Sequence, residues 1–283
     1  MNEILAPLQH EFMRDALVVG AVIAAMCGVL SCFLILKGWS LMGDAVSHAV
    51  LPGLALAYLA GLPLAVGAFV AGLLCAAASG FIKRNSRVKE DTAMGVVFTG
   101  LFAFGLVLFS RTPSDMHLDH ILVGNILGIT AGQMQQTLWL GGVILTVSLV
   151  MHRDLLLICF DPQHARALAL PDRFLHYLLL GLLALAIVVS LQAVGIILVV
   201  AMLITPGAVA HLWTDRFGRM LLLAVSTAVT SVAAGVIISY HIDGSTSACI
   251  VLFQALVFAV SLLAAPKHGI LARWLSVKRN FSN

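Results

Sequence analysis

The sequence predicts an all-α polytopic membrane protein, and three observations carry the prediction. Of its 283 residues, 61% are hydrophobic and only 10% charged, with a mean hydropathy of +1.05; an average soluble domain is roughly 45–50% apolar and 25% charged. The apolar residues gather into runs of about 20, the length of helix that crosses a hydrocarbon layer roughly 30 Å thick. Basic residues fall almost wholly in alternate connections between those runs, the pattern that orients membrane proteins. A secreted domain, a cytosolic enzyme and a disordered chain are excluded.

The elements follow in order. The first run, 16–36, is preceded by Glu3, Glu11 and Asp15 rather than by a basic segment, so it reads as a retained span and not as a signal peptide. Lys37 closes it. The second run, 41–60, is joined by the short junction 61–63 to the third, 64–82, which stops at Lys83 and Arg84. The fourth, 92–109, leads into a polar connection, and the fifth, 134–151, ends before Arg153. The sixth, 174–191, and the seventh, 195–212, are separated by residues 192–194 alone; 220–240 and 248–265 complete the set. Nine transmembrane helices result, or eight if one short junction marks a re-entrant piece, which membranes tolerate only where protein or a cavity covers the bare backbone. No linker, repeat or low-complexity stretch divides the chain, so residues 1–283 read as a single transmembrane domain in contact with the lipid bilayer.

Nine spans place 14 of the 16 basic residues on one side; only Arg14 and Arg111 fall on the other. The C-terminus is therefore expected in the cytoplasm and the N-terminus outside. The outer segments then hold six acidic residues against two basic ones, and the inner face 14 basic against six acidic. The five cysteines, Cys27, Cys32, Cys75, Cys159 and Cys249, form no C-x-x-C and lie in or beside apolar runs, which suits packing better than a zinc knuckle or a disulfide framework.

Of 13 acidic residues only Asp44 falls within a span, where an ionisable group costs about 2.5–3.5 kcal/mol to insert. His48 follows at i+4, one turn away on the same helix face. A carboxylate oxygen and a ring nitrogen can there converge on one cation. Two ligands are too few to strip a hydrated divalent ion, whereas two protomers meeting on this helix would offer two carboxylates and two imidazoles. The simpler reading is an Asp–His hydrogen bond tying the helix to a neighbour. Ala45, Ala49, Gly53 and Ala57 form a stripe of small residues, which serves either a pore or ordinary close packing. Pro52 has no N–H for the His48 carbonyl, so a kink is expected beside the site; Pro206 is expected to bend a second span.

The expected outer connections hold Asp115, His117, Asp119 and His120 in one case and His241 and Asp243 in another, a mouth that would attract cations. On the cytoplasmic side Asp161 is an N-cap acid and Pro162 an N1 proline. Gln163, His164, Ala165, Arg166, Ala167 and Leu168 continue as helix formers towards Pro171. A short rigid helix is expected over 161–170, suited to a lever or to a plain solvated connector. No G-x-x-x-x-G-K-[ST] phosphate loop occurs, nor H-E-x-x-H, so the chain is not expected to be an ATPase by that route or a zincin-type protease.

Four segments in this order resemble a known family: 38–53 (GWSLMGDAVSHAVLPG), 119–128 (DHILVGNILG), the 161–171 helix and 192–206 (QAVGIILVVAMLITP). They are similar to the permease subunits of bacterial ABC importers for manganese, iron and zinc, closest to the manganese and chelated-iron branch, with a likeness running from about Arg14 to Pro266. The resemblance implies a vitamin B12 importer-like ABC permease fold in the inner membrane, paired with a second permease, identical or paralogous. It implies an extracytoplasmic metal-binding protein as donor and separate ATP-binding cassette subunits as motor, with ATP used by the partner. Asp44 and His48 would be the pore ligands for a transported Mn²⁺, Fe²⁺ or Zn²⁺, and the Asp161 helix the coupling helix. No permanently bound cofactor and no nucleic-acid partner are implied. Rival readings are an ATP-independent carrier or channel for divalent cations, and a membrane enzyme using Asp44 and His48 as an acid/base pair.

Overall fold

The computed structural model describes residues 10–39, 41–111, 126–266 and 269–270. The helices are α1 (Glu11–Lys37), α2 (Met42–Leu59), α3 (Leu64–Asn85), α4 (Glu90–Arg111), α5 (Ala131–Val150), α6 (His152–Phe160), α7 (Pro162–Ala167), α8 (Asp172–Val194), α9 (Ile196–Trp213), α10 (Phe217–Ile242) and α11 (Thr246–Ala264). A 3-10 turn, Ile126–Gly128, precedes α5. Each of the nine apolar segments read from the sequence lies on a helix. Seven of the helices are long and apolar enough to cross a membrane, and the bent pair α5/α6 makes an eighth candidate. α2, 18 residues long, stands outside that set, since Asp44, Ser47, His48 and Pro52 occupy places that apolar residues fill elsewhere.

Local chemistry sets the ends. Thr130 and Gln133 form a capping box at the start of α5, each side chain holding the other's backbone N–H. The α8/α9 junction is Gly195 alone, at φ 80°, a conformation that glycine adopts without the clash a Cβ would bring. The short junction therefore lies one residue beyond the expected 192–194. α5 and α6 meet at 67°, so the chain turns sharply at Met151.

α1 is the central helix. Its most apolar stretch is 72% buried, against 17% for α4, and Ile23, Ala24, Met26, Cys27, Leu30 and Phe33 are fully enclosed. It lies against α10, α9 and α5, while α2 lies between α3 and α4. Ser31 of α1 pins α9 beside Pro206: its hydroxyl accepts from the Gly207 N–H at 2.8 Å and donates to the Ile204 carbonyl at 3.2 Å.

Residues assigned by sequence to one side of the membrane meet one another. Lys37 reaches Ile158 and Trp39 packs on His176, all expected at the cytoplasmic side. His10 lies 6.0 Å from the ring of Tyr240, both expected outside.

Candidate metal site in the second helix

Close packing on α3 holds α2 in place. A Cβ on Gly53 would collide with the Gly67 backbone and with Ala71, and one on Gly67 would collide with Ala57. Ala45, Ala49 and Ala57 are buried as well, with Cys75 of α3 beside the Ala45 carbonyl. The small-residue stripe thus seats α2 on its neighbour within the chain. Successive helix residues are set about 100° apart, so Asp44 and His48 point elsewhere.

They point beside α4. His48 Nε2 stands 3.4 Å from Asp44 Oδ1, and the two side chains are 27% and 38% exposed on a helix whose other residues from Met42 to Ala55 are buried. The imidazole is framed by Phe102, edge-on at 5.3 Å, and Phe98, stacked at 6.2 Å. Its Nδ1 is buried without a hydrogen-bond partner. Phe98 and Phe102 lie eight and twelve residues into the 22-residue α4, about 12 and 18 Å along a helix of about 33 Å at 1.5 Å per residue. Gly43 likewise faces Leu203, near the middle of α9. Both measures set the pair level with the middle of α4 and α9, while Asp44 itself lies in the first turn of α2.

Neighbouring ligands on a cation bound at about 2.0–2.2 Å sit about 3–3.5 Å apart, so the Asp44–His48 spacing suits one ion as well as a direct contact. Among the described residues no group of three or more His, Cys, Asp or Glu side chains surrounds a common point. One chain therefore presents two ligands. Pro52, buried inside α2, packs against Gly105 of α4, and both helices continue through the contact.

Of the expected outer mouth, Asp115, His117, Asp119 and His120 lie outside the described residues. His241 and Asp243 are exposed at the end of α10, where His241 Nδ1 contacts the Ile237 carbonyl at 2.9 Å and Asp243 takes the left-handed cap position. The sequence reading passed over Glu11 and Asp15, which line a cavity of about 380 Å³ with Phe12, Ile126 and Ile129; their i, i+4 spacing was the available signal. It also passed over Phe98 and Phe102, again four residues apart.

Asp161 caps α7, its Oδ1 accepting from the N–H groups of Gln163 and His164 at 3.1 and 3.0 Å. The helix is shorter than the expected 161–170. It closes at Ala167 because Ala169 turns left-handed at φ 53°, sending its N–H back to the Arg166 carbonyl and that of Leu170 to Ala165. Ala165 is fully buried, while Gln163, His164, Arg166, Ala167 and Leu168 are exposed. Arg166 Nε bonds Asp172 Oδ2 at 3.0 Å, tying α7 to α8.

The sequence pattern of the ABC 3 transport family matches residues 9–265. The chain belongs to the ABC 3 transport family. Among the relatives of this ABC 3 permease, the chelated iron transport system membrane protein YfeD of Yersinia pestis is 57% identical over 257 residues, covering 91% of this chain and 86% of that one. The manganese transport system membrane protein MntB of Synechocystis sp. is 49% identical over 270 residues, covering 95% and 88%. Among solved structures, PsaBC from Streptococcus pneumoniae in complex with Fab superposes with a TM-score of 0.86 at 40% identity, covering 98% of this chain and 99% of that one. The permease is thus a multi-pass protein of the inner membrane, an all-helical transport subunit of an ABC system.

Proposed function

We propose that this permease carries a divalent transition metal ion inward across the bacterial inner membrane, with Mn²⁺ and Fe²⁺ as its cargo ahead of Zn²⁺, and that residues 1–283 act as one permease domain. The observation that carries the reading is the pairing of Asp44 with His48 at 3.4 Å, both partly open on a stretch of α2, Met42 to Ala55, whose other residues are buried. Two copies of the chain, or this chain and a paralogous permease, bring two carboxylates and two imidazoles to a common axis. The carboxylates then balance a 2+ charge, and four protein ligands replace most of the hydration shell. Oxygen and nitrogen donors without a thiolate suit Mn²⁺ and Fe²⁺; Zn²⁺ binds such sites more tightly by the Irving–Williams order, so selectivity against it must come from geometry and supply. That two relatives are named for iron and for manganese supports the same cargo.

An extracytoplasmic metal-binding protein delivers the ion to the outer face, where His241, Asp243 and the segment with Asp115, His117, Asp119 and His120 draw cations. Two ATP-binding cassette subunits hydrolyse ATP, and α7 with its cap Asp161 docks into them. ATP binding shifts the bundle between outward-open and inward-open populations, differing in which side reaches Asp44 and His48. Pro52 and Pro206, each lacking one helix hydrogen bond, are the points about which α2 and α9 adjust. In proteoliposomes holding the complete complex, Asp44→Ala and His48→Ala should each abolish Mn²⁺ uptake while membrane insertion persists; near-normal uptake by both variants refutes the site.

A further inference from the structure

Besides its metal pair and its lever, the permease carries a cation that ties these two regions together. Lys37 ends α1, and its Nζ donates to the Ile158 carbonyl at 3.0 Å, in the last turn of α6. Asp161, the cap of α7, follows three residues later. The same ammonium lies 5.3 Å from the ring centroid of Trp39, which is 2% exposed and packed edge-on against His176 of α8 at 5.1 Å. The Trp39 carbonyl in turn accepts from the Met42 N–H at 3.0 Å. Met42 opens α2, two residues before Asp44.

We infer that Lys37 and Trp39 form a clamp through which movement of α7 reaches the Asp44 end of α2. A lysine serving only to anchor α1 would snorkel its head into water; this one is turned onto a helix C-terminus, where the exposed carbonyls carry partial negative charge and a charge-assisted bond is strong. α6 moves with that bond because Leu155, Ile158 and Cys159 are buried against the central core, so the nine-residue helix has no separate path to slide along. Pushing α7 shifts α6, and α6 pulls Lys37, Trp39 and the first turn of α2 as one body. Lys37 and Trp39 are positioning residues: neither touches the metal.

The inference rests on the reading of α7 as the docking helix, and the two fail separately. In the reconstituted complex, Lys37→Met should lower metal transported per ATP hydrolysed by about tenfold, the weight of one charge-assisted bond, while ATP turnover and metal binding at Asp44 and His48 persist. Lys37→Arg should restore most of the ratio. An unchanged transport-to-ATP ratio in Lys37→Met overturns the clamp. Cross-linking of Gln163→Cys to the ATP-binding subunit in otherwise native chain tests the docking helix itself; absence of a cross-link refutes that reading whatever Lys37→Met does. If Lys37→Met fails to insert, spin labels at Leu41→Cys and Arg153→Cys keep Lys37 in place. The clamp requires their separation to stay constant between nucleotide-free and ATP-bound states, and a change of about 5 Å, one helical turn, overturns it.

Discussion

His48 spends one ring nitrogen on Asp44 and leaves the other buried without a partner, an arrangement that favours a fixed ring orientation over maximal hydrogen bonding. Phe102 supplies the fixing surface. Phe102→Ala should raise the Kd for Mn²⁺ by about tenfold, the usual scale for losing a support behind a ligand, measured by calorimetry on the purified permease. Ser31 is a structural counterpart, serving Gly207 and Ile204 with one hydroxyl. Ser31→Ala leaves a buried N–H unsatisfied and should cost about 1–3 kcal/mol, read as a lower melting temperature in detergent. Gln254 is the reverse case: fully buried in α11 with neither amide atom bonded. Since an unpaired buried amide is a penalty that an apolar side chain of similar size avoids, Gln254→Leu should melt at the same or a higher temperature.

Among the elements, α7 depends most on a single side chain. Six residues of helix carry little stability of their own, because nucleation is costly and few hydrogen bonds follow. The two bonds to Asp161 therefore hold a large share of it. Asp161→Ala should remove about 1 kcal/mol of cap and weaken capture of the ATP-binding subunit in co-purification, with α1 to α5 unaffected. α2 divides its labours by angle. The i, i+4 periodicity of the small residues and that of Asp44 and His48 were both readable from spacing, but which stripe faced a neighbour was not, since two stripes one residue out of step are equivalent until α3 takes one of them. The α5/α6 bend was equally hidden: residues 152–160 mix Arg153 and Asp154 with an apolar tail, a composition that suits a loop, a span end or a helix along the membrane surface.

At the level of the whole molecule, the proposed site takes one carboxylate and one imidazole from each chain, so a shared site would fix the metal stoichiometry of the assembly. Purified dimers of the permease should bind one Mn²⁺ per two chains, measured by elemental analysis after desalting. One ion per chain would refute a shared site.

Helical segments and their order were legible because each depends on short-range features: runs of apolar residues, caps and prolines. The Asp44–His48 pair was legible for the same reason, since helix geometry turns four residues of sequence into one turn of space. Contacts between distant residues had no such local trace. Lys37 meets Ile158 across 121 positions and Gly207 meets Ser31 across 176, and the Phe98 and Phe102 frame around His48 exists because α4 docks on α2. In an apolar chain most helix faces are chemically alike, so only three-dimensional packing selects which of them touch, which face stays open, and which lysine closes on which carbonyl.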